Sequence, residues 1–128
     1  MMKKVLIIEN SREIRENAAE ILELNNYQVF VAEKGSAGFN LAKKHMPDII
    51  LCDIMRPETD SRTFLRLASE DKVIRNIPYI LFSEDSPEPQ IGKISANKDN
   101  LFLLTKPFEA KDLLNAITER LGDGGIQS

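Results

Sequence analysis

The sequence predicts a single α/β domain in which a doubly wound parallel sheet carries helices on both faces. Two observations lead to this prediction: short apolar runs alternate with segments of helical period, and each of four runs stops at a polar residue. A chain of 128 residues can hold one hydrophobic core and leaves no room for a second domain. The four runs are Val5 to Ile8, Ile49 to Cys52, Tyr79 to Phe82 and Leu101 to Leu104.

The first half of the chain alternates regularly between strand and helix. Apolar residues at helical spacing predict a first helix that Asn10 or Ser11 caps. Pro47 ends the second predicted helix, because the backbone before a proline disfavours helix. The predicted elements are a strand from Val5 to Ile8, a helix from about Arg12 to Leu24, a strand from Gln28 to Ala32, a helix from about Ser36 to His45 and a strand from Ile49 that ends at Asp53.

The second half continues this alternation with one weak segment. The proline-rich stretch Ser86 to Pro89 forbids helix at its start, so we expect Gln90 to Asn97 to form only a short or mobile element. The glycine-rich residues 122–128 have the composition of a flexible tail or linker. The other predicted elements are a helix from about Ser61 to Glu70, a strand from Tyr79 to Phe82, a strand from Leu101 to Leu104, and a last helix on which Ala110, Leu113, Leu114, Ile117 and Leu121 share one face.

Composition and charge exclude several classes of function. A net charge of −3 gives no electrostatic footprint for nucleic acid. The single cysteine, Cys52, cannot form an internal disulfide, which fits a reducing compartment. No apolar stretch approaches the roughly 20 residues that a membrane-spanning helix needs. We therefore expect a cytoplasmic protein that binds neither nucleic acid nor membrane.

The polar residues that follow the strands predict a functional site. Open α/β sheets bind ligands outside the carboxyl ends of their strands, where Glu9, Asp53, Ser83 and Lys106 are expected to gather. A lone Asp after a strand is more often a turn or capping residue, but these neighbours favour chemistry. Carboxylates suit Mg²⁺, and a hydroxyl with a lysine suits phosphoryl oxygens. An Asp carboxylate can itself be the nucleophile that forms an aspartyl phosphate.

At these residues the chain resembles the receiver domain of two-component response regulators, a family of signalling domains and not of conventional enzymes. The resemblance covers about Lys3 to Leu121 and implies a receiver domain over residues 1–121. It also implies a flavodoxin-like three-layer sandwich whose five-stranded parallel sheet has the order 2-1-3-4-5. The matching stretches are Lys4 to Asn10, Pro47 to Pro57, Ile77 to Ser83 and Leu104 to Phe108.

The resemblance implies a role for each residue of the site. Asp53 would accept a phosphoryl group from a phosphohistidine on a sensor histidine kinase or phosphotransfer protein. Ser83 and Lys106 would bind the phosphoryl oxygens, and the Lys106–Pro107 peptide bond would be cis. The Mg²⁺ ligands would be Glu9, Asn10, Asp53 and the backbone carbonyl of Met55.

Asn10, Glu84 and Leu103 are site positions that depart from the family pattern, and Ser61 replaces a Gly that is common after the third strand. Asn10 stands where the family usually has Asp, so we expect weaker Mg²⁺ binding. Glu84 places a long acid beside the phosphoryl site, and Leu103 stands where many receivers carry a switching aromatic residue. Two hypotheses therefore stay open: a phosphoacceptor domain in a phosphorelay, and an atypical receiver that acts as a phosphorylation-independent interaction module. A flavin carrier of the same architecture is disfavoured, because Glu9-Asn10 is a poor phosphate cradle.

Overall fold

Five parallel strands form one sheet in the order β2-β1-β3-β4-β5, which confirms the predicted fold class and strand order. The computed structural model describes residues 2–53, 60–83, 103–105 and 108–122. The strands are β1 (Lys4–Ile8), β2 (Gln28–Ala32), β3 (Ile49–Asp53), β4 (Tyr79–Ser83) and β5 (Leu103–Thr105).

Helices cover both faces of this sheet. None of those in the described part of the chain is both long and apolar enough to cross a membrane. The α-helices are α1 (Arg12–Leu24), α2 (Gly35–His45), α3 (Ser61–Glu70) and the C-terminal helix (Ala110–Leu121), and one short 3-10 helix spans Ile74–Asn76.

The core lies in two layers, one on each side of the sheet. Side chains of a strand alternate between faces, so β1 contributes Leu6 and Ile8 to one layer and Val5 and Ile7 to the other. The first layer packs against α2 and α3, where Phe64 is fully buried. The second packs against α1 and the C-terminal helix. The resulting three-layer sandwich leaves the strand ends as the places where polar groups can gather.

The structure differs from the predicted elements at a few ends. Helix α2 begins at Gly35, one residue before the predicted start. A Cβ atom at Gly35 would lie 2.2 Å from the carbonyl oxygen of Asp60, so glycine allows α2 to approach the start of α3. Strand β5 ends at Thr105 instead of the predicted Leu104. Three predicted segments lie outside the described residues: Leu101 and Phe102 of the last predicted strand, the element predicted over 90–97, and the tail from 123 onward.

Candidate functional site

Two acidic residues, Glu9 and Asp53, stand at the carboxyl ends of neighbouring strands. β1 pairs with β3 through Ile8 and Cys52; Glu9 follows Ile8 directly after β1, and Asp53 follows Cys52 as the last residue of β3. Neighbouring strands lie about 4.8 Å apart, so the two backbones bring these acids side by side. Both residues are completely buried. The strand pairing therefore brings together the backbones of two residues that the sequence analysis assigned to a site.

Both acids lie on the same face of the sheet. Along β1 and β3, Ile7 and Leu51 pack in the layer beneath α1 and the C-terminal helix. Continuing the alternation by two residues places Glu9 and Asp53 on that face as well. The backbone N–H of Glu9 donates to the carbonyl oxygen of Ala32 at 3.0 Å, so β1 keeps its alignment with β2 at this residue.

The turn between β1 and α1 is fixed by hydrogen bonds. Glu9 Oε2 accepts a hydrogen bond from the backbone N–H of Ser11 at 3.0 Å, which orients the carboxylate. Ser11 caps α1, because its Oγ accepts from the backbone N–H of Ile14 at 3.4 Å. Of the two predicted caps, Ser11 and not Asn10 is therefore the one observed. Asn10 lies between the buried Glu9 and the cap residue Ser11.

Arg15 holds this turn from helix α1, and the sequence reasoning missed it. Its Nη1 donates to the carbonyl oxygen of Glu9 at 2.9 Å and to that of Asn10 at 3.3 Å. Only 13% of its side chain is exposed. A signal existed in the sequence, since Arg15 precedes the buried Ala18 and Leu22 by three and seven residues. That spacing places an arginine on the buried stripe of the helix.

The backbone also brings the end of β4 to the site. Asp53 pairs with Phe82, so Ser83 follows one residue beyond the partner of Asp53. Ser83 in turn pairs with Thr105 of β5. The Phe82 ring stacks on the Phe108 ring with centroids 5.1 Å apart. This contact holds Phe108, which follows residues 106 and 107, against β4.

Several predicted features of the site fall in segments that the structure does not describe. Met55, Glu84, Lys106 and the Lys106–Pro107 bond lie outside the described residues. Ser83 and Leu103 are placed through their backbone, at the end of β4 and the start of β5.

The donor set fits a hard divalent cation. Within residues 2–53, 60–83, 103–105 and 108–122, no three His, Cys, Asp or Glu side chains lie together in a group that could hold a metal ion. Two buried carboxylates nevertheless stand at the carboxyl end of the sheet, Glu9 directly after β1 and Asp53 at the end of β3, and Asn10 follows Glu9 in the chain. Two adjacent buried carboxylates repel each other, and a cation between them offsets that repulsion. Carboxylate and amide oxygens are ligands that Mg²⁺ accepts.

The sequence matches a known family over most of its length. Residues 5–118 match the family model described as the response regulator receiver domain. The phosphate regulon transcriptional regulatory protein PhoB of Klebsiella pneumoniae is 29% identical over 131 aligned positions, which cover 99% of this chain and 56% of that protein. The polar-differentiation response regulator DivK of Brucella ovis is 25% identical over 123 positions, with 96% and 99% covered. The chain thus spans little more than half the length of its PhoB relatives.

Solved structures show the same architecture. The chemotaxis response regulator CheY4 of Vibrio cholerae superposes with a TM-score of 0.81 at 26% identity, and the match covers 94% of this chain and 99% of that one. The receiver domain of a sensor histidine kinase from Pseudomonas aeruginosa, solved with a magnesium ion coordinated in its active-site cleft, has a TM-score of 0.83 at 19% identity, with 95% and 99% covered. The second likeness concerns the fold alone.

Proposed function

The chain belongs to the response regulator receiver family, and on that basis we propose that Asp53 accepts a phosphoryl group in a phosphorelay. The observation that supports this proposal most directly is the burial of Asp53 beside Glu9 at the carboxyl end of the sheet. A fully buried pair of acids is costly for a fold, and such pairs are found where chemistry requires them. The protein would act as a signalling domain that undergoes this reaction itself.

The proposed step is the transfer of a phosphoryl group from a phosphohistidine. An oxygen of the Asp53 carboxylate forms a bond to phosphorus, and the bond between phosphorus and the histidine nitrogen breaks. Mg²⁺, when bound, reduces the repulsion between the carboxylate and the anionic donor. Glu9 and Asn10 would hold this ion from the β1–α1 turn, together with Asp53 and the backbone carbonyl of Met55.

Ser83 and Lys106 are proposed to bind the phosphoryl oxygens. The strand pairing supports Ser83, because it ends β4 one residue beyond the partner of Asp53. The fixed positions of Thr105 and Phe108 on either side support a place for Lys106 at the same edge. A hydroxyl and an ammonium group would together compensate the charge that the phosphoryl group brings.

The proposed phosphoryl donor is a sensor histidine kinase or a phosphotransfer protein in the cytoplasm. Similar chains occur both in response regulators and as receiver domains of histidine kinases, so the family supports a partner of this class. The net charge of −3 argues that this domain does not itself bind nucleic acid. We propose residues 1–121 as the receiver domain.

Phosphorylation can be tested with a small donor in place of the kinase. The protein is incubated with Mg²⁺ and acetyl phosphate, and intact-mass spectrometry is expected to show one added phosphoryl group. Asp53→Asn should abolish the addition, whereas Asp60→Asn, the same change at an exposed residue, should leave it intact. No addition to the wild-type protein, or equal addition to Asp53→Asn, would contradict the proposal. The first of these outcomes would favour the phosphorylation-independent interaction module, the reading that Asn10 supports.

A further inference from the structure

We infer that Arg15 is a positioning residue for Mg²⁺: its guanidinium fixes the β1–α1 turn so that the side chains of Glu9 and Asn10 face Asp53. The inference rests on the proposed function for the identity of the ion. The contacts of Arg15 stand independently of it, since they are made entirely within the protein.

The contacts show what Arg15 fixes. One nitrogen, Nη1, donates to the carbonyl oxygens of two successive residues, at 2.9 Å for Glu9 and 3.3 Å for Asn10. These bonds set the orientation of two consecutive peptide planes. Carbonyl oxygens that point to α1 cannot also point to Asp53, so the ligands that this turn supplies are the side-chain oxygens of Glu9 and Asn10.

Arg15 serves the turn more than it serves an ion pair. Arg15 Nη1 lies 3.8 Å from Glu33 Oε1, and the Glu33 side chain is 68% exposed. An exposed pair at this distance contributes little. The hydrogen bonds to the two carbonyls are shorter and are shielded, because the Arg15 side chain itself is only 13% exposed.

Two effects of Arg15 on Mg²⁺ binding oppose each other, so the direction of the change in Kd distinguishes between them. A cation near the site repels Mg²⁺ and would weaken its binding. A fixed turn presents its ligands without reordering and would strengthen binding. We expect the ordering of the turn to outweigh the charge repulsion. The guanidinium charge is already engaged by two carbonyl dipoles and lies near Glu33.

The test compares Mg²⁺ binding among matched variants. Arg15→Gln removes the charge and the two bonds, Arg15→Lys keeps the charge, and Arg12→Gln removes the same charge one turn earlier. Arg12 pairs with Glu16 at 2.8 Å on the solvent side, where the two side chains are 80% and 62% exposed. Mg²⁺ alone is titrated by calorimetry, amide hydrogen exchange is followed at Asn10 and Ser11, and thermal melting checks that each variant folds.

Arg15→Gln is expected to raise the Kd for Mg²⁺ about tenfold, the lower range for residues that orient metal ligands, and to accelerate exchange at both amides. For Arg15→Lys, the Kd for Mg²⁺ and the exchange rates should lie between those of Arg15→Gln and the wild type. If Arg15→Gln does not fold, the values for Arg15→Lys test the inference. Arg12→Gln should stay within about twofold of the wild type. Tighter binding by Arg15→Gln, or unchanged binding and exchange, would overturn the inference, as would a wild type that binds no Mg²⁺. A wild type that binds Mg²⁺ but is not phosphorylated would contradict the proposed function alone.

Discussion

The two ends of the sheet carry the same kinds of charged residue in opposite settings. At the carboxyl end, Glu9 and Asp53 are completely buried side by side. At the amino end, acids lie nearer the surface and accept short hydrogen bonds. Asp48 Oδ2 accepts from the backbone N–H of Lys4 at 2.7 Å, and Asp71 Oδ2 accepts from Lys43 Nζ at 2.7 Å.

This difference separates a structural use of charge from a chemical one. A paired acid near the surface joins elements of the fold, as Asp71 joins the loop after α3 to α2. Two buried acids on neighbouring strands repel each other, and this repulsion lowers the stability of the fold. We therefore expect substitutions at the two ends to have opposite effects, and the following predictions test that expectation.

The largest expected effect follows from adding an acid at the carboxyl end. In the proposed Mg²⁺ site, Asn10→Asp would supply a third carboxylate in place of an uncharged amide. We expect the Kd for Mg²⁺ to fall about tenfold, which corresponds to about 1.4 kcal/mol. Without Mg²⁺ the same variant should be less stable than the wild type. Calorimetric titration with Mg²⁺ and thermal melting in chelator measure the two effects.

The matched control adds the same charge at the amino end. Asn26→Asp is suitable, because Asn26 is exposed and has a positive φ of 70°, a backbone conformation that Asp also tolerates. Helix α1 separates it from the turn by about 20 Å, at 1.5 Å for each of its 13 residues, so its effect on Mg²⁺ should be small. Equal tightening by both variants would show that overall charge, and not the turn, governs binding.

The next effect compares one substitution at both ends. In Mg²⁺-free buffer, Asp53→Asn should raise the free energy of unfolding by about 1 kcal/mol, because it removes a buried charge beside Glu9. Asp48→Asn should lower it by about 0.5–1 kcal/mol, because a charged acceptor of the Lys4 N–H becomes neutral. Urea denaturation monitored by circular dichroism measures both values. Changes of the same sign would remove the distinction between the two ends.

Much of the fold was predictable because its signals are local. The bounds of α1, β2 and α3 were predicted to the residue and are confirmed. Helical periodicity, a serine cap and a closing pair of asparagines are all contained within a few residues of the chain. The adjacency of Glu9 and Asp53 was predictable for a related reason, since parallel strands bring their carboxyl ends to one edge.

The features that escaped prediction depend on individual side-chain and backbone contacts, which the apolar pattern of the sequence does not encode. The start of α2 at Gly35 lies against the carbonyl oxygen of Asp60, the residue that precedes α3. The 3-10 helix after α3 depends on Asp71, whose Oδ1 accepts from the backbone N–H groups of Val73 and Ile74 at 2.9 Å each. The role of Arg15 depends on which way two carbonyl groups turn, which periodicity does not encode.

The smallest predicted effect concerns acid stability at the amino end. Hydrogen bonds from the backbone N–H of Ile74, from Lys43 and from the N–H of Val73 lower the pKa of Asp71 from its ordinary value of 3.8 to about 2. The folded state therefore binds a proton at Asp71 less readily than the unfolded state does. The stabilisation is fully present above about pH 4 and is lost as the pH falls to about 2.

Asp71→Asn should flatten the pH dependence of the unfolding midpoint between pH 4 and 2, because an amide does not titrate there. At neutral pH it should also melt below the wild type, since the contact with Lys43 weakens. Glu70→Gln is the matched control, because it neutralises the acid that precedes Asp71. Glu70 Oε1 lies 3.9 Å from Arg66 Nη1, and the Glu70 side chain is 66% exposed. The same slope in Asp71→Asn and wild type would mean that this acid does not stabilise the amino end, and the contrast with the buried pair would then rest on burial alone.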